Sequence, residues 1–254
     1  METYPIVIMA GGPTPQKILD AGEKEPERAF IEIGGKPMIK WVVDAVRGCK
    51  SCGQILAIGN VDRLVKEGGL APSEVFPQKS NMLENFIAGM EHFRSSKLVT
   101  VATCDIPLIT SQALDDLFGL VAGIKAEVYY PIIDVKLCEE KFPGGHRTTQ
   151  KLKEGTYTGG NIFVLDPEAV IKNRSRVEAV IRDRKSPAKL VKLFGLPFIV
   201  KFALKQLDLP GLEKKASEIL GAQMRGIITP WPEIGFDVDK PEDLSMVRNV
   251  LGHA

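Results

Sequence analysis

Three aspartates and a pair of glycines are the residues of this 254-residue chain best suited to chemistry. Asp105 ends the apolar run Lys97–Cys104 and precedes Ile106-Pro107, which sets its carboxyl at a strand tip instead of on an exposed face. A bare carboxylate there is costly to desolvate unless it meets a cation or hydrogen-bond donors. Asp237 and Asp239 stand two apart, so on an extended chain both project to one side. Lys240-Pro241-Glu242-Asp243 then opens a helix, which leaves Asp239 two uses, N-cap or ligand. Carboxylate oxygens from two or three residues, with room for water and phosphate, are the set that Mg2+ takes.

The glycines close the front run Ile6-Val7-Ile8-Met9-Ala10-Gly11-Gly12. Without a Cβ the backbone can approach a ligand closely, and amides turned into such a loop suit phosphate oxygens. A plain strand-to-helix turn is the other reading of these seven residues. Lys17 and Arg28 follow on a polar, proline-containing segment, 13–28, and are placed to reach phosphates. A phosphate loop beside a carboxylate-held Mg2+ points to phosphoryl or nucleotidyl transfer. Such a reaction needs an incoming phosphate oxygen held in line with the leaving pyrophosphate, and charge neutralised at the α-phosphate.

The elements that must position these residues are legible in the apolar periodicity. Ile6–Met9, Gln54–Gly59, Glu74–Phe76, Lys97–Cys104 and Glu127–Ile133 read as buried strands. Helices are expected after Pro37, over Asn81–Phe93, from Thr110 or Ser111 to about Ala122, and from Pro167. This alternation specifies a mostly parallel sheet with right-handed crossovers, whose ligands gather at the carboxyl ends of the strands. The later part is loop-rich over 134–156, then has a glycine-led strand, Thr158–Leu165. Residues 171–192 carry eight basic residues against two acidic, either a solvated helix face or a basic wall for an anionic substrate. Leu190–Leu207 is amphipathic and suits packing on the domain or on a second subunit, which would make a homo-oligomer. One domain, 1–254, with a helical insert near 170–225, is the economical organisation.

The bulk properties exclude other classes. A net charge of +1 supplies no field for nucleic acid. No apolar run approaches the roughly 20 residues that span a bilayer. A strand begins almost at the first residue without a signal-peptide layout, so a cytoplasmic location is expected. Cys49 and Cys52 have zinc-ligand spacing but no second pair to complete four ligands.

Five motifs in order, IVIMAGG, ERAFIEIGGKPMIKWVVDAV, TCDIPLI, TGGNIFVLDP and FDVDKPEDL, resemble the MobA-like NTP transferases over nearly the whole chain. The resemblance implies the nucleotide-diphospho-sugar transferase fold, a Rossmann-like three-layer α/β/α sandwich. It implies an Mg2+-dependent reaction of an NTP with a phosphorylated small-molecule acceptor, releasing pyrophosphate. By position, Ala10, Gly11 and Gly12 match the nucleotide loop, and Arg28 stands where the family has a phosphate-binding lysine. Asp105 matches the metal aspartate and Asp239 the second metal contact, with Asp237 beside it. Lys17, Arg28 and Asp105 make the expected catalytic set. Thr158, Gly159, Gly160 and Asn161 fall where the family lines its acceptor pocket, and Arg147, Arg182, Arg184 and Lys185 are assigned to the acceptor with them. The glycine loop departs from the pattern: Thr14 and Gln16 replace a glycine and an arginine, and Pro13 and Pro15 lack amide donors. Two other readings remain open. One is a glycosyltransferase of the GT-A type using a finished nucleotide sugar, for which Asp237-Val238-Asp239 offers an Asp-x-Asp. The other is a nucleotide- or metabolite-binding homologue without catalysis, to which the altered loop points.

Overall fold

The computed structural model describes residues 3–145, 147–183, 194–204 and 206–252. In chain order its strands are β1 (Tyr4–Met9), β2 (Glu32–Ile33), β3 (Lys36–Pro37), β4 (Cys52–Gly59), β5 (Val75–Pro77), β6 (Val99–Thr103), β7 (Val128–Asp134), β8 (Thr149–Lys151), β9 (Thr156–Gly159), β10 (Ile162–Leu165) and β11 (Met224–Ile228). Nine form one sheet in the order β5-β4-β1-β6-β10-β7-β9-β8, with β11 on β7; β2 and β3 make a separate ribbon. β5, β4, β1 and β6 are parallel, and β9 and β10 run against β7.

The apolar runs are continuous because both faces of the sheet are covered. Ile6 and Ile8 of β1 meet the helices Met38–Gly48 and Ser111–Ala122 on one side. Val7, between them, faces the helices Met82–His92 and Pro167–Lys172 on the other. The result is the expected three-layer α/β/α sandwich with a mostly parallel sheet. Side-chain N-caps begin several helices: Asn81, Thr110 and Asp166 each accept a backbone N–H of the first turn. The helices Arg174–Asp183, Leu196–Ala203 and Leu209–Leu220 follow in the stretch expected to be helical.

Three local expectations change. The single strand expected over Thr158–Leu165 is two strands. Gly160 donates to the Pro131 carbonyl and Asn161 to the Ile234 carbonyl, and this break transfers the chain from between β7 and β8 to a place between β6 and β7. The loop-rich stretch 134–156 contains a helix, Val135–Lys141, capped by the Asp134 side chain, and strand β8. The polar segment 13–28 holds a short helix, Gln16–Asp20, anchored by buried Ile18.

Candidate active site

A third apolar cluster beneath the strand tips gathers the functional segments. Ile18, Ile31, Ile33, Leu108, Phe236, Val238, Leu244 and Val247 pack together there. Ile18, Phe236, Val238 and Leu244 adjoin Lys17, Asp237, Asp239 and Asp243, so burial of the apolar neighbour aims the polar one outward. Val238 shows the effect best: it is fully buried, and its N–H donates to the Asp105 carbonyl at 2.9 Å. Asp237 and Asp239 on either side therefore turn together toward Asp105. One carboxylate oxygen from each of Asp105, Asp237 and Asp239 lies within 4.8 Å of the others.

Two arginines hold this cluster from opposite sides. Arg28, 77 residues before Asp105, donates to Asp105 Oδ2 through Nη1. Its Nη2 donates to Asp239 Oδ1 at 2.9 Å, across 211 residues of sequence. Burial opposes the charge on Arg28, but the Asp105 and Asp239 carboxylates outweigh it and raise the guanidinium above its usual value. Arg147 sits over Phe236, its Cζ 3.8 Å from the ring centre, and donates to Asp237 Oδ1 at 3.1 Å and to the Asp237 carbonyl at 3.2 Å. Burial, with the Asp105 and Asp239 charges added, pushes the Asp237 carboxyl up to about 7. The N-capping use of Asp239 is not what the structure shows. Asp243 Oδ2 accepts from the N–H groups of Asp239 and Lys240, and so frees the Asp239 carboxylate for Arg28.

A divalent cation fits this donor set. Three carboxylates converge, and Asp105 Oδ1 is buried with no hydrogen-bond partner among the described residues, a costly state that a cation would relieve.

On one side of the cluster stands the glycine turn. The Ala10 N–H continues the ladder to the Ile58 carbonyl, whereas the Gly11 and Gly12 amides have no acceptor among the described residues. A Cβ on Gly11 would displace the exposed Gln78 side chain, whose Oε1 lies 2.5 Å from that position, and Gly12 has φ of +137°, a conformation that favours glycine. The Gly12 carbonyl accepts from the Arg28 N–H at 3.3 Å, which fixes the root of that side chain beside the turn. Thr14, standing where the family pattern has glycine, spends its N–H on the Pro26 carbonyl and its hydroxyl on the Glu25 carbonyl. The loop is thereby shut on itself, and Thr14 donates nothing outward. Lys17 is exposed on the helix Gln16–Asp20, which rests on the helix Pro241–Leu251.

On the other side lies a groove of about 560 Å³. Asp237, Asp239 and Lys240 form its near end, and Leu209, Leu212, Ala216 and Met224 its far wall. Thr158, Gly159, Gly160, Asn161 and Arg147 all line it. Thr158 is buried with its hydroxyl on the Thr148 carbonyl, and a Cβ on Gly159 would overlap the Tyr130 hydroxyl. Arg182 is not among the lining residues and pairs with Asp183 at 3.0 Å. Arg184 and Lys185 lie outside the described residues.

Several neighbours of the site escape the sequence reading. Gln78 and Asn85 flank Gly11. A buried asparagine inside an apolar helix is a detectable signal, since such an amide needs partners; its Oδ1 takes the Lys79 N–H. Tyr130, stacked on Phe163 at 4.8 Å, lines the groove, and burial and the Asp237 charge raise its hydroxyl above the usual tyrosine value. Nothing in its strand pattern marks it.

The sequence matches the family model described as the MobA-like NTP transferase domain over residues 6–155. No curated protein matches it. Among solved structures, it is similar to a hypothetical transferase from Thermus thermophilus at 33% identity and a TM-score of 0.83, covering 95% of this chain and 99% of that one. It is also similar, at 12% identity and a TM-score of 0.60, to CMP:2-keto-3-deoxy-manno-octonic acid synthetase complexed with CTP, with 100% and 99% of the two chains covered. A third likeness is to 4-diphosphocytidyl-2C-methyl-D-erythritol synthase from Anaerococcus prevotii, at 12% identity and a TM-score of 0.54, with 98% and 96% covered. These last two likenesses are of fold.

Proposed function

The chain belongs to the MobA-like NTP transferase family and is a nucleotidyltransferase, and from that premise we propose that it joins an NMP from an NTP to a phosphorylated small molecule with Mg2+ as cofactor. The observation that carries this reading is the convergence of Asp105, Asp237 and Asp239 between a donor-lined glycine turn and a ligand-sized groove. In the proposed reaction the unpaired amides of Gly11 and Gly12 bind the triphosphate. Arg28, rooted on Gly12, neutralises its growing negative charge. Asp105 and Asp239 hold Mg2+ and Asp237 completes the set; when bound, the ion neutralises charge at the α-phosphate and on the leaving pyrophosphate. The acceptor lies in the groove along Thr158–Asn161, its phosphate turned to the carboxylate end, where Lys240 faces it. An acceptor phosphate oxygen forms the new bond to the α-phosphorus as the bond to the bridging oxygen breaks, and pyrophosphate leaves with that electron pair. A phosphate monoester dianion needs no base for this attack, which agrees with a site that offers carboxylates and cations but no histidine among the described residues.

Pyrophosphate release is the test. The purified chain with Mg2+, each of the four NTPs and a panel of phosphorylated metabolites should release pyrophosphate with one pairing. Binding of Mg2+-NTP without release under every pairing would favour the non-catalytic reading, and use of a finished nucleotide sugar the glycosyltransferase reading.

A further inference from the structure

Arg28 makes two demands that cannot both be met at once. As a phosphate-binding residue its guanidinium belongs over the Gly11-Gly12 turn. In the structure it lies instead among the metal carboxylates, on Asp105 Oδ2 and Asp239 Oδ1. Asp105 and Asp239 are two of the three residues whose ligand atoms fall within 4.8 Å of one another, so the guanidinium is bound to two of the three carboxylates a cation would use. Its backbone cannot retreat. The Arg28 N–H is held by the Gly12 carbonyl, and the next two residues, Ala29 and Phe30, are buried. Only the side chain is free to swing, and about a quarter of it is exposed toward solvent. A divalent ion entering alone would meet a fixed positive charge at contact distance, where repulsion is poorly screened in a half-buried site. An ion entering with a triphosphate brings the anion that gives the guanidinium somewhere else to go.

Resting on the nucleotidyl-transfer reading above, we propose that Arg28 is the resident counter-cation of the carboxylate cluster and bars the metal until nucleotide arrives. The metal then enters as the metal–NTP complex and not as the free ion. Arg28 has two positions: on Asp105 and Asp239 in the nucleotide-free protein, and on phosphate in the loaded one. Arg147 does not share this role, because it is held beneath Asp237 by the ring of Phe236 and the Asp237 carbonyl.

Mn2+ is the probe, with binding to the full nucleotide-free chain read by electron paramagnetic resonance. Arg28→Gln should bind free Mn2+ at least about tenfold more tightly than the wild type, and Mn2+ should raise its Tm where it does not raise the wild type's. Arg28→Lys, which keeps one charge but cannot bridge two carboxylates, should fall between them and serves as well if the glutamine variant folds poorly. Adding Asp105→Asn to Arg28→Gln should abolish the gain. Equal Mn2+ affinity in wild type and Arg28→Gln would overturn the proposal, as would a gain that survives Asp105→Asn. Titration of the wild type with Mn2+ and a non-hydrolysable NTP separates the two layers. Tight binding of that complex alongside equally tight free Mn2+ sinks only the counter-cation. Failure to bind any nucleotide sinks the reading beneath it as well.

Discussion

The carboxylate cluster and the groove beside it are built in opposite ways. The cluster is tied by main chain and buried charge: Val238 N–H on the Asp105 carbonyl, Asp243 on two amides, Arg147 wedged between Phe236 and Asp237. The far wall of the groove is a row of half-buried aliphatic side chains, Leu209, Leu212 and Ala216, on one helix over strand β11. Changing a wall side chain leaves the backbone ties of the cluster intact. If the groove holds the acceptor as proposed, the difference means that the chemical step and the choice of acceptor are separately adjustable, the first through kcat and the second through KM.

The largest effect should come from the cluster itself. Asp105→Asn removes the most buried of the three converging carboxylates and should cost on the order of 10³-fold in pyrophosphate release while leaving the circular dichroism spectrum unchanged. Retained activity would break the comparison at its strong end. Arg147→Met comes next. It leaves Asp237 and Asp243 without their buried cation, and breaking such a pair typically costs about 3–5 kcal/mol. A Tm lowered by several degrees in thermal unfolding, with kcat reduced in the surviving folded protein, is the expected result. A Tm unchanged from wild type would mean that the guanidinium carries no structural charge pairing.

Leu212→Gln tests the other region. It puts an amide into the aliphatic wall and should raise the acceptor KM about tenfold, with kcat and the NTP KM unchanged. A fall in kcat equal to the rise in KM would show that the two regions are coupled.

The same contrast governs what the sequence discloses. Elements whose partners are local in pattern are legible: the β1 run, the helix over Asn81–Phe93, the helix start at Thr110, the strand tip at Asp105, the paired aspartates two apart. A carboxylate that ends an apolar strand is anomalous on its face, and in the structure it meets Asp237 and Asp239. The break at Gly160-Asn161 was not legible, because it depends on carbonyls of Pro131 and Ile234 that only the sheet brings near. Nor was the use of Asp243, since capping from within the helix and capping by Asp239 look alike in the string Asp-Val-Asp-Lys-Pro-Glu-Asp. The order within the loop from 13 to 28 is hidden from the sequence for a related reason. Its order comes from Ile18 in a distant core and from Thr14 folding the loop onto Glu25 and Pro26.

That loop also gives the smallest effect and the sharpest check on how Arg28 is carried. Arg63 lies 3.9 Å over the Phe30 ring and binds Glu25 through two nitrogens, at 2.8 and 3.0 Å, and Glu67 at 2.8 Å. Its hydrogen bonds lead the causes that hold both glutamates below the ordinary value of 4.5. A depressed carboxylate stabilises the fold above its unfolded pKa, and that contribution disappears as the pH falls through the folded value. Arg63→Ala should therefore lower stability by roughly 1 kcal/mol near neutrality, the scale of a half-exposed ion-pair network. Chemical denaturation at a series of pH values should show the gap between wild type and variant constant above about pH 5 and closing below about pH 4. Because the clip acts on the surface of the loop and not on the aspartates, kcat should fall less than about threefold, well short of the loss from Asp105→Asn. A gap that persists unchanged into acid would mean that Arg63 supports the loop by its contact with Phe30 alone. The carrier of Arg28 would then be fastened by packing, like the cluster it faces, and the contrast between tied and untied regions would move outward by one loop.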